Sequence, residues 1–445
     1  MRISIVGTGY VGLVSGVCLA EIGHDVICID IDQSKVDQIN QGITPIYEKD
    51  LEPLLHKHIG KKLKAVTDLH SAVLETDVTF IAVGTPFDGQ YIDLSFIKTV
   101  SEQIGEALKS KSTYHVVVVK STVVPGTSDE VVSTILERAS GKTAGLDFGV
   151  GMNPEFLTEG VAVDDFMHPD RIVIGGQDEK TITVLTEIYK PFDKTTTLKT
   201  NNKTAEMIKY VSNSVLATMI SFSNEIANLC STLGGIDASQ VMGGVHSARY
   251  FTTTLDDGQR IQAPITSFLN AGCGFGGSCL PKDVKALVSH GQQAGQAMPL
   301  LDTVIKINLE QPQRIIELIK KHYPELKGLR VAILGLAFKP DTDDMRESPA
   351  ISIINTLLKE GSLIKAYDPV ATNAAKKVLP ADQISFEHSL EDVLDDVDVA
   401  VLVTRWEQFN KVTALLNNHD KPPLLIDGRR MLNKEDIQHY DGIGL

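Results

Sequence analysis

The 445-residue chain is too long for one ordinary core, so two or three domains are expected. Hydrophobic residues at 42%, with 35 glycines besides, match a folded globular protein and exclude a mostly disordered one. Lys and Arg number 42 against 57 Asp and Glu, and the net charge of −15 argues against nucleic-acid and membrane-surface binding, though not against a local basic pocket.

The N-terminal stretch MRISIVGTGYVGLVSGVCLA has the composition of a signal peptide, but glycines at 7, 9, 12 and 16 break it, and they fit a different pattern. Arg2–Val6 is a β-branched run, Gly7-Thr-Gly-Tyr-Val-Gly12 a turn, Leu13–Ile22 helical in character and Val26–Asp30 a second strand. In that βαβ setting Gly7, Gly9 and Gly12 let a pyrophosphate approach the amides at a helix N-terminus. Asp30 is placed to accept hydrogen bonds from an adenosine ribose diol, and its charge would repel a 2′-phosphate, so NAD is expected rather than NADP.

Further strand-like runs at Val78–Val83, Val116–Lys120 and Phe148–Met152 end in Gly84-Thr85-Pro86, Ser121-Thr122 and Asn153-Pro154-Glu155. Ligands of an open parallel sheet bind beyond the carboxyl ends of its strands, so these ends should line one crevice with the glycine turn. Residues 1–200 therefore read as a dinucleotide-binding domain.

From Lys203 to Leu233 neither proline nor glycine intervenes, and Met207, Val211, Val215, Met219, Phe222 and Ile226 recur at helical spacing. This predicts one helix of about 45 Å, suited to a connector or a dimer interface, within a central segment 201–310. Lys209 and Asn213 share one of its faces, a pattern that a solvated polar face also produces.

The third segment, 311–445, reads as a second α/β unit. Strands are expected at Leu329–Gly335, Ser362–Tyr367, Val397–Val403 and, last, Leu424–Ile426, with a helix Ile351–Lys359 after the Ser348-Pro349 start signal. The turn after its first strand lacks the second and third glycines, so it looks doubly wound without the dinucleotide fingerprint. Lys339, Arg346, Arg405, Arg429 and Arg430 at its strand ends suggest an anion such as a nucleotide diphosphate, or else surface charge. The fold class is thus α/β: two Rossmann-like domains joined by a long helix.

The chemistry concentrates in Gly274-Phe-Gly-Gly-Ser-Cys-Leu-Pro-Lys-Asp283. Pro281 marks a helix start, so the Cys279 thiol sits at a helix N-terminus where dipole, amides and Lys282 favour the thiolate. Cys18, Cys28 and Cys230 lie in apolar runs and read as inert. The five cysteines form no CxxC pair, so neither a disulfide framework nor a metal site is expected, and the protein reads as reduced and cytoplasmic. No apolar run approaches the roughly 18–20 residues of a membrane span. A thiol beside an NAD domain suggests attack on an aldehyde, hydride loss to give a thioester, and hydrolysis to an acid.

Glycine turn, NPEFLTEG (153–160), the long helix with Lys209 and Asn213, GFGGSCLPKD (274–283) and AFKPDTDDMRESP (337–349) follow one another in this order. Together they resemble the UDP-glucose/GDP-mannose dehydrogenase family across essentially the whole chain. The resemblance implies a homodimer formed through the central helix, and a four-electron oxidation of a nucleotide sugar's C6 alcohol to the acid with two NAD. It implies Cys279 as nucleophile, Lys209 as the oxyanion-stabilising and proton-transfer residue, Asn213 and Asp283 around C6 and the water, and Glu155 with Thr122 beside them. The NAD site would map to Val11, Asp30, Lys35, Thr85, Thr122, Glu159, Lys282 and Arg346. The sugar-nucleotide site would map to Glu155, Phe156, Leu157, Thr158 and Glu159, to Lys209 and Asn213, to Phe268, Leu269, Asn270, Ala271 and Gly272, and to Gly276, Phe338, Lys339 and Arg429. The family's subunit-bridging arginine would be Arg260, with Arg249 the alternative, because the stretch before Phe268 is longer than usual. Arg405 stands where relatives often carry an acid.

The absence of a histidine before Cys279 argues against the N-acetylmannosamine branch, and NPEFLTEG, HPDRIVIGG and DGRR favour UDP-glucose over GDP-mannose or another UDP-hexose. A hydroxyacid dehydrogenase of the 6-phosphogluconate kind would leave Cys279 unexplained, a non-catalytic nucleotide-sugar sensor would leave the whole constellation unexplained, and a zinc alcohol dehydrogenase lacks its ligands.

Overall fold

The computed structural model describes residues 1–445, which divide into two units, Met1–Ser212 and Asn213–Leu445. In the first, β1 (Arg2–Val6), β2 (Asp25–Ile29), β3 (Leu63–Val66), β4 (Val78–Ile81), β5 (His115–Val119), β6 (Phe148–Met152), β7 (Arg171–Gly176) and β8 (Thr196–Thr200) form one sheet. Its order is β3-β2-β1-β4-β5-β6-β7-β8, parallel except where β6 meets β7. β4 and β5 are buried throughout, as strands covered on both faces are, and their polar members Thr79 and His115 hydrogen-bond each other (2.8 Å). Side-chain alternation sends Ile3 and Ile5 to the face that packs Leu13, Val14 and Val17, and Val6 to the face holding Ile29, Ile81 and Val119.

Helix α1 (Tyr10–Glu21) begins inside the glycine turn, earlier than the expected Leu13, because Gly9 takes the N-cap in an extended conformation. Gly7 has φ +97, and a Cβ on it would stand 2.7 Å from the Ala82 carbonyl oxygen. A Cβ on Gly12 would collide with the Gly7 carbonyl oxygen. Both positions therefore require glycine.

The second unit contains the hairpin β9 (Thr252–Thr254) and β10 (Arg260–Gln262), then β11 (Arg330–Leu334), β12 (Leu363–Tyr367), β13 (Ile384–Phe386), β14 (Val399–Leu402), β15 (Leu424–Asp427) and β16 (Tyr440–Gly442). The last six form a parallel sheet ordered β13-β12-β11-β14-β15-β16, the same winding as β1 to β6. The run at Leu424 is therefore not the last strand. β16 adds an edge beyond it, and a three-residue Tyr-Asp-Gly segment carries no strand signal of its own.

The two windings differ at the acid after their second strand. Asp368 is 3% exposed and accepts the amides of Leu336, Ala337, Val370 and Ala371 and the Trp406 indole N–H. Five donors leave it no capacity for a ribose diol. Asp30, half-buried, accepts the Thr8 amide and hydroxyl and the Asp32 amide.

Helix α2 (Asn202–Leu233) has the expected extent, 32 residues. Its buried positions include Ala205, Ser214, Ala217, Ser221, Asn224 and Ala227, whereas Met207, Val211, Val215, Phe222, Leu229 and Leu233 are exposed. Near its start, Glu206 is fully buried and accepts the amides of Gly126 (2.6 Å) and Ser128 (2.8 Å). Burial pushes this carboxyl up to about 7, against the pull of those amides and with Asp129 adding repulsion. A raised carboxyl contributes stability that is complete below its ordinary value and is lost as pH rises through about 7. Wild-type protein should therefore lose on the order of 3 kcal/mol through this group between pH 5 and 8. Glu206→Gln should not. Melting curves of the two across that range should diverge, with the variant relatively more stable at pH 8.

Candidate active site

β1, β4, β5 and β6 are neighbours in the first sheet, so the segments following them share one end of it. Side chains stitch these ends together: Thr85 Oγ1 donates to the Thr122 carbonyl (2.7 Å), and Ser121 Oγ to the Val83 carbonyl (2.7 Å). Gly9 caps α1, and a Cβ there would meet nothing within 4 Å, which leaves open space over the helix N-terminus. Burial pushes the Asp30 carboxyl up, but the Thr8 and Asp32 hydrogen bonds and Lys35, 4.0 Å away, outweigh it and keep it ionised. Amide donors, open room at Gly9 and an ionised acid after β2 fit the pyrophosphate and ribose of NAD. Val11 lies in the first turn of α1.

One connection of this turn is not legible in the sequence. Glu48 is buried and accepts the Tyr10 hydroxyl together with the amides of Gly160 (2.7 Å) and Ala162 (2.8 Å). It thereby ties the glycine turn to the end of the 153–160 loop, in which the Thr158 amide donates to Asp165 (2.7 Å) and Glu159 is half-buried.

Within that loop Glu155 forms a buried ion pair with Lys209, Oε1 to Nζ 2.9 Å, the two side chains 6% and 4% exposed. The Leu157 amide donates to the other oxygen (2.6 Å), and the Lys209 ammonium stands 5.6 Å from the centre of the Phe156 ring. Burial alone would push the Glu155 carboxyl up. Lys209, the Leu157 amide and Lys120 reverse the effect, so Glu155 stays ionised below the usual carboxylate range.

In the second unit Cys279 is the N-cap of helix α3 (Leu280–Gln293), with Pro281 in the first turn as the start signal required. It is exposed, whereas Cys18, Cys28, Cys230 and Cys273 are buried. Asp283, one turn on and 1% exposed, accepts from Lys282 Nζ (2.6 Å) and from Asn213 Nδ2 (2.6 Å). Lys282 thus has its charge directed at Asp283. Asn213 and Lys209 are four residues apart on α2 and share a face.

The segment before Cys279 is held from several sides. Asn224 Oδ1 accepts the Gly272 amide (2.8 Å), Gln311 Nε2 donates to the Gly272 carbonyl (2.8 Å), and Asn308 bonds both the amide and the carbonyl of Phe275. Sequence reasoning missed these three amides, which lie far from the motif and carry no local pattern. A Cβ on Gly276 would collide with the Glu347 carbonyl, and one on Gly277 would stand 2.7 Å from the Phe338 ring. A Cβ on Gly276 would also stand 3.0 Å from the Phe338 Cβ, and the Gly277 amide donates to the Arg346 carbonyl (2.8 Å). Of the residues before Gly272, Phe268 ends a short 3-10 turn, Leu269 is buried, and Asn270 and Ala271 are half-buried.

The basic residues at strand ends have different fates. Arg429 donates to the carbonyls of Val403 (2.6 Å) and Gly274 (2.9 Å), and so holds the cysteine segment. Arg405 donates to the Arg429 carbonyl, which gives that unusual residue a structural role. Arg430 is buried in an ion pair with Asp237 (2.9 Å) and is not available to an anion as expected. Arg346 forks onto Asp344 (2.7 Å), and the Lys339 ammonium lies 5.9 Å from the Phe338 ring. Arg260 sits in the exposed hairpin, donating to the Ser247 carbonyl and Thr252 Oγ1, and Arg249 stacks on Tyr250.

Three family models cover this arrangement: the UDP-glucose/GDP-mannose dehydrogenase NAD-binding domain over residues 1–193, the central domain over 203–310 and the UDP-binding domain over 332–434. The chain belongs to this family. It is 40% identical over 450 residues to the UDP-glucose 6-dehydrogenase AglM of Haloferax volcanii, covering 100% of both chains. It is likewise 40% identical to the UDP-glucose 6-dehydrogenase TuaD of Bacillus subtilis, covering 98% of this chain and 91% of that one. The solved structure of a UDP-glucose dehydrogenase from Pyrobaculum islandicum matches with a TM-score of 0.90 at 35% identity, covering 100% of this chain and 97% of that one. As a member of the dehydrogenase family, the chain has two Rossmann-like domains and a long central helix, as the sequence predicts.

Because one of five thiols is exposed, at a helix N-terminus, native protein treated with iodoacetamide should take up one equivalent, at Cys279. The other four should react only after unfolding. Peptide mass spectrometry of native and denatured samples reads both outcomes.

Proposed function

We propose that the chain oxidises the C6 alcohol of UDP-glucose to the carboxylate of UDP-glucuronate, consuming two NAD+ per sugar. The observation that carries the reading is the exposed thiol of Cys279, the N-cap residue of α3, in a chain whose full-length relatives are named UDP-glucose 6-dehydrogenases. Residues 1–200 hold NAD, 201–310 connect and carry the thiol, and 311–445 hold the uridine diphosphate. NAD+, when bound, accepts hydride from C6 in each oxidation.

The chain's own residues do the rest. Lys209 takes the C6 hydroxyl proton as the first hydride leaves, giving the aldehyde. The Cys279 thiolate then adds to C6, and the carbonyl electron pair moves onto oxygen, where the Lys209 ammonium stabilises it. Loss of the second hydride leaves a thioester. Water adds to C6 and expels the thiolate, with Glu155 and Thr122 handling the proton and Asn213 and Asp283 positioning C6 and the water. The 268–272 stretch, Gly276, Phe338, Lys339 and Arg429 recognise the sugar nucleotide, and Arg260 reaches the partner's site.

The chain acts as a homodimer in this reading. The support is α2, whose apolar residues Met207, Val211, Val215, Phe222, Leu229 and Leu233 face outward at helical spacing while its buried positions are mostly small and polar. Its setting is the cytoplasm, and no helix is long and apolar enough to cross a membrane.

At saturating NAD+, about two NADH per UDP-glucose are expected from the four-electron stoichiometry, with little turnover of GDP-mannose or UDP-N-acetylglucosamine run alongside. Cys279→Ser should release no acid, and Lys209→Ala should slow both oxidations by roughly 10²–10³-fold. One NADH per sugar, or full turnover by Cys279→Ser, would sink the thioester route. Sedimentation equilibrium should give twice the monomer mass, and Phe222→Glu should lower it.

A further inference from the structure

Next to the Glu155–Lys209 pair lies a third buried charge that the mechanism above leaves without a task. Lys120 is the first residue past β5 and is 4% exposed. A buried ammonium costs several kcal/mol unless it is paired, yet its hydrogen-bond partner is a neutral amide, Asn153 Oδ1, at 2.9 Å. Asn153 is the first residue past β6 and is itself fixed: the same oxygen accepts the Tyr189 hydroxyl (2.5 Å), and its Nδ2 donates to the Val173 carbonyl (2.8 Å). The ammonium also faces the Phe80 ring, 5.9 Å from its centre. Packing, in short, holds Lys120 in place without neutralising it.

The charged and titratable groups around it are Glu155 on the 153–160 loop, Lys209 on α2 and Tyr189 across Asn153. Glu155 draws Lys120 toward its charged form, while Lys209 opposes it. Two ammoniums and one carboxylate thus lie buried at the end of the sheet where the ligands of such a fold bind, and the cluster carries one positive charge in excess. Burial pulls the Lys120 ammonium down to about 8, with Lys209 adding to the fall and Glu155 resisting it. The same repulsion acts on Lys209, since the interaction between two like charges is mutual.

We propose that Lys120 is a positioning residue for the oxidation: anchored on Asn153, it supplies the excess positive charge against which Glu155 stays ionised and Lys209 exchanges the C6 hydroxyl proton. This inference rests on the proposed oxidation. The proton leaves the hydroxyl for the neutral Lys209 amine as hydride leaves C6, and it passes to water before the next turnover. Lys120 itself transfers nothing.

The test is the pH dependence of NADH formation from UDP-glucose by Lys120→Met, Lys120→Gln and Lys120→Arg. In the neutral variants the acid limb of kcat/KM should move to higher pH by about one unit, so that the rate falls about tenfold at pH 7 and recovers toward wild type near pH 9.5. Lys120→Arg should keep the wild-type limb. A residue that serves packing alone would lower the rate equally at every pH, and that result overturns the proposal. If the neutral variants do not fold, 13Cε-lysine NMR of the wild-type enzyme decides. The lysine resonance assigned to Lys120 by its loss in Lys120→Arg is expected to report the charged form at pH 7, and a Lys120 already neutral at pH 7 overturns the proposal. The NMR titration needs no turnover, so a wild-type enzyme inactive on UDP-glucose would refute the substrate reading and leave the charge cluster separately measurable.

Discussion

The buried ion pair between Lys209 and Glu155 is the contact on which the first unit's site depends. Neither charge could remain so far from water alone, since an uncompensated buried ion costs several kcal/mol. The pair therefore fixes the start of α2 to the loop after β6 in one geometry. The Leu157 amide fixes the carboxylate's second oxygen, and Glu48 holds the far end of the same loop against the glycine turn. The loop after β6 and the turn after β1 thus belong to one rigid arrangement, though they are distant in sequence.

The two Rossmann-like sheets share a strand order but use the acid after the second strand in opposite ways. At Asp30, three donors from neighbouring residues leave an ionised, half-buried carboxylate with acceptor capacity remaining. At Asp368, five donors consume that capacity and burial closes it off. The same winding therefore leaves an ionised acid with acceptor capacity to spare in one domain and a structural staple in the other. The difference lies in hydrogen-bond saturation rather than in topology.

Around Cys279, glycine is dictated by neighbours. The Glu347 carbonyl and the Phe338 ring lie where Cβ atoms of residues 276 and 277 would stand, so the segment packs directly on the 338–348 stretch. Arg429, Asn224, Asn308 and Gln311 then satisfy its backbone groups, which a buried irregular segment could not leave unpaired. The thiol at its end is held by the backbone beneath it while remaining open to solvent.

Much of this was legible in the residues alone. Periodicity and breakers marked β1, β6 and the whole of α2, because a long run without proline or glycine has one regular solution. The glycine turn and the cysteine motif were visible because each packs its requirements into a dozen residues or fewer. Short edge strands such as β16 were not, since three residues pair only because a neighbouring strand presents its edge. Lys120 read as the end of a strand and Arg430 as an anion ligand or surface charge, and nothing in the local sequence marked Glu48. Local sequence determined the elements, the fold class and the cysteine at a helix start, because these follow from near-neighbour sterics and side-chain chemistry. Which charges are buried, paired or saturated was decided by the tertiary structure alone, because desolvation depends on residues brought together from far along the chain.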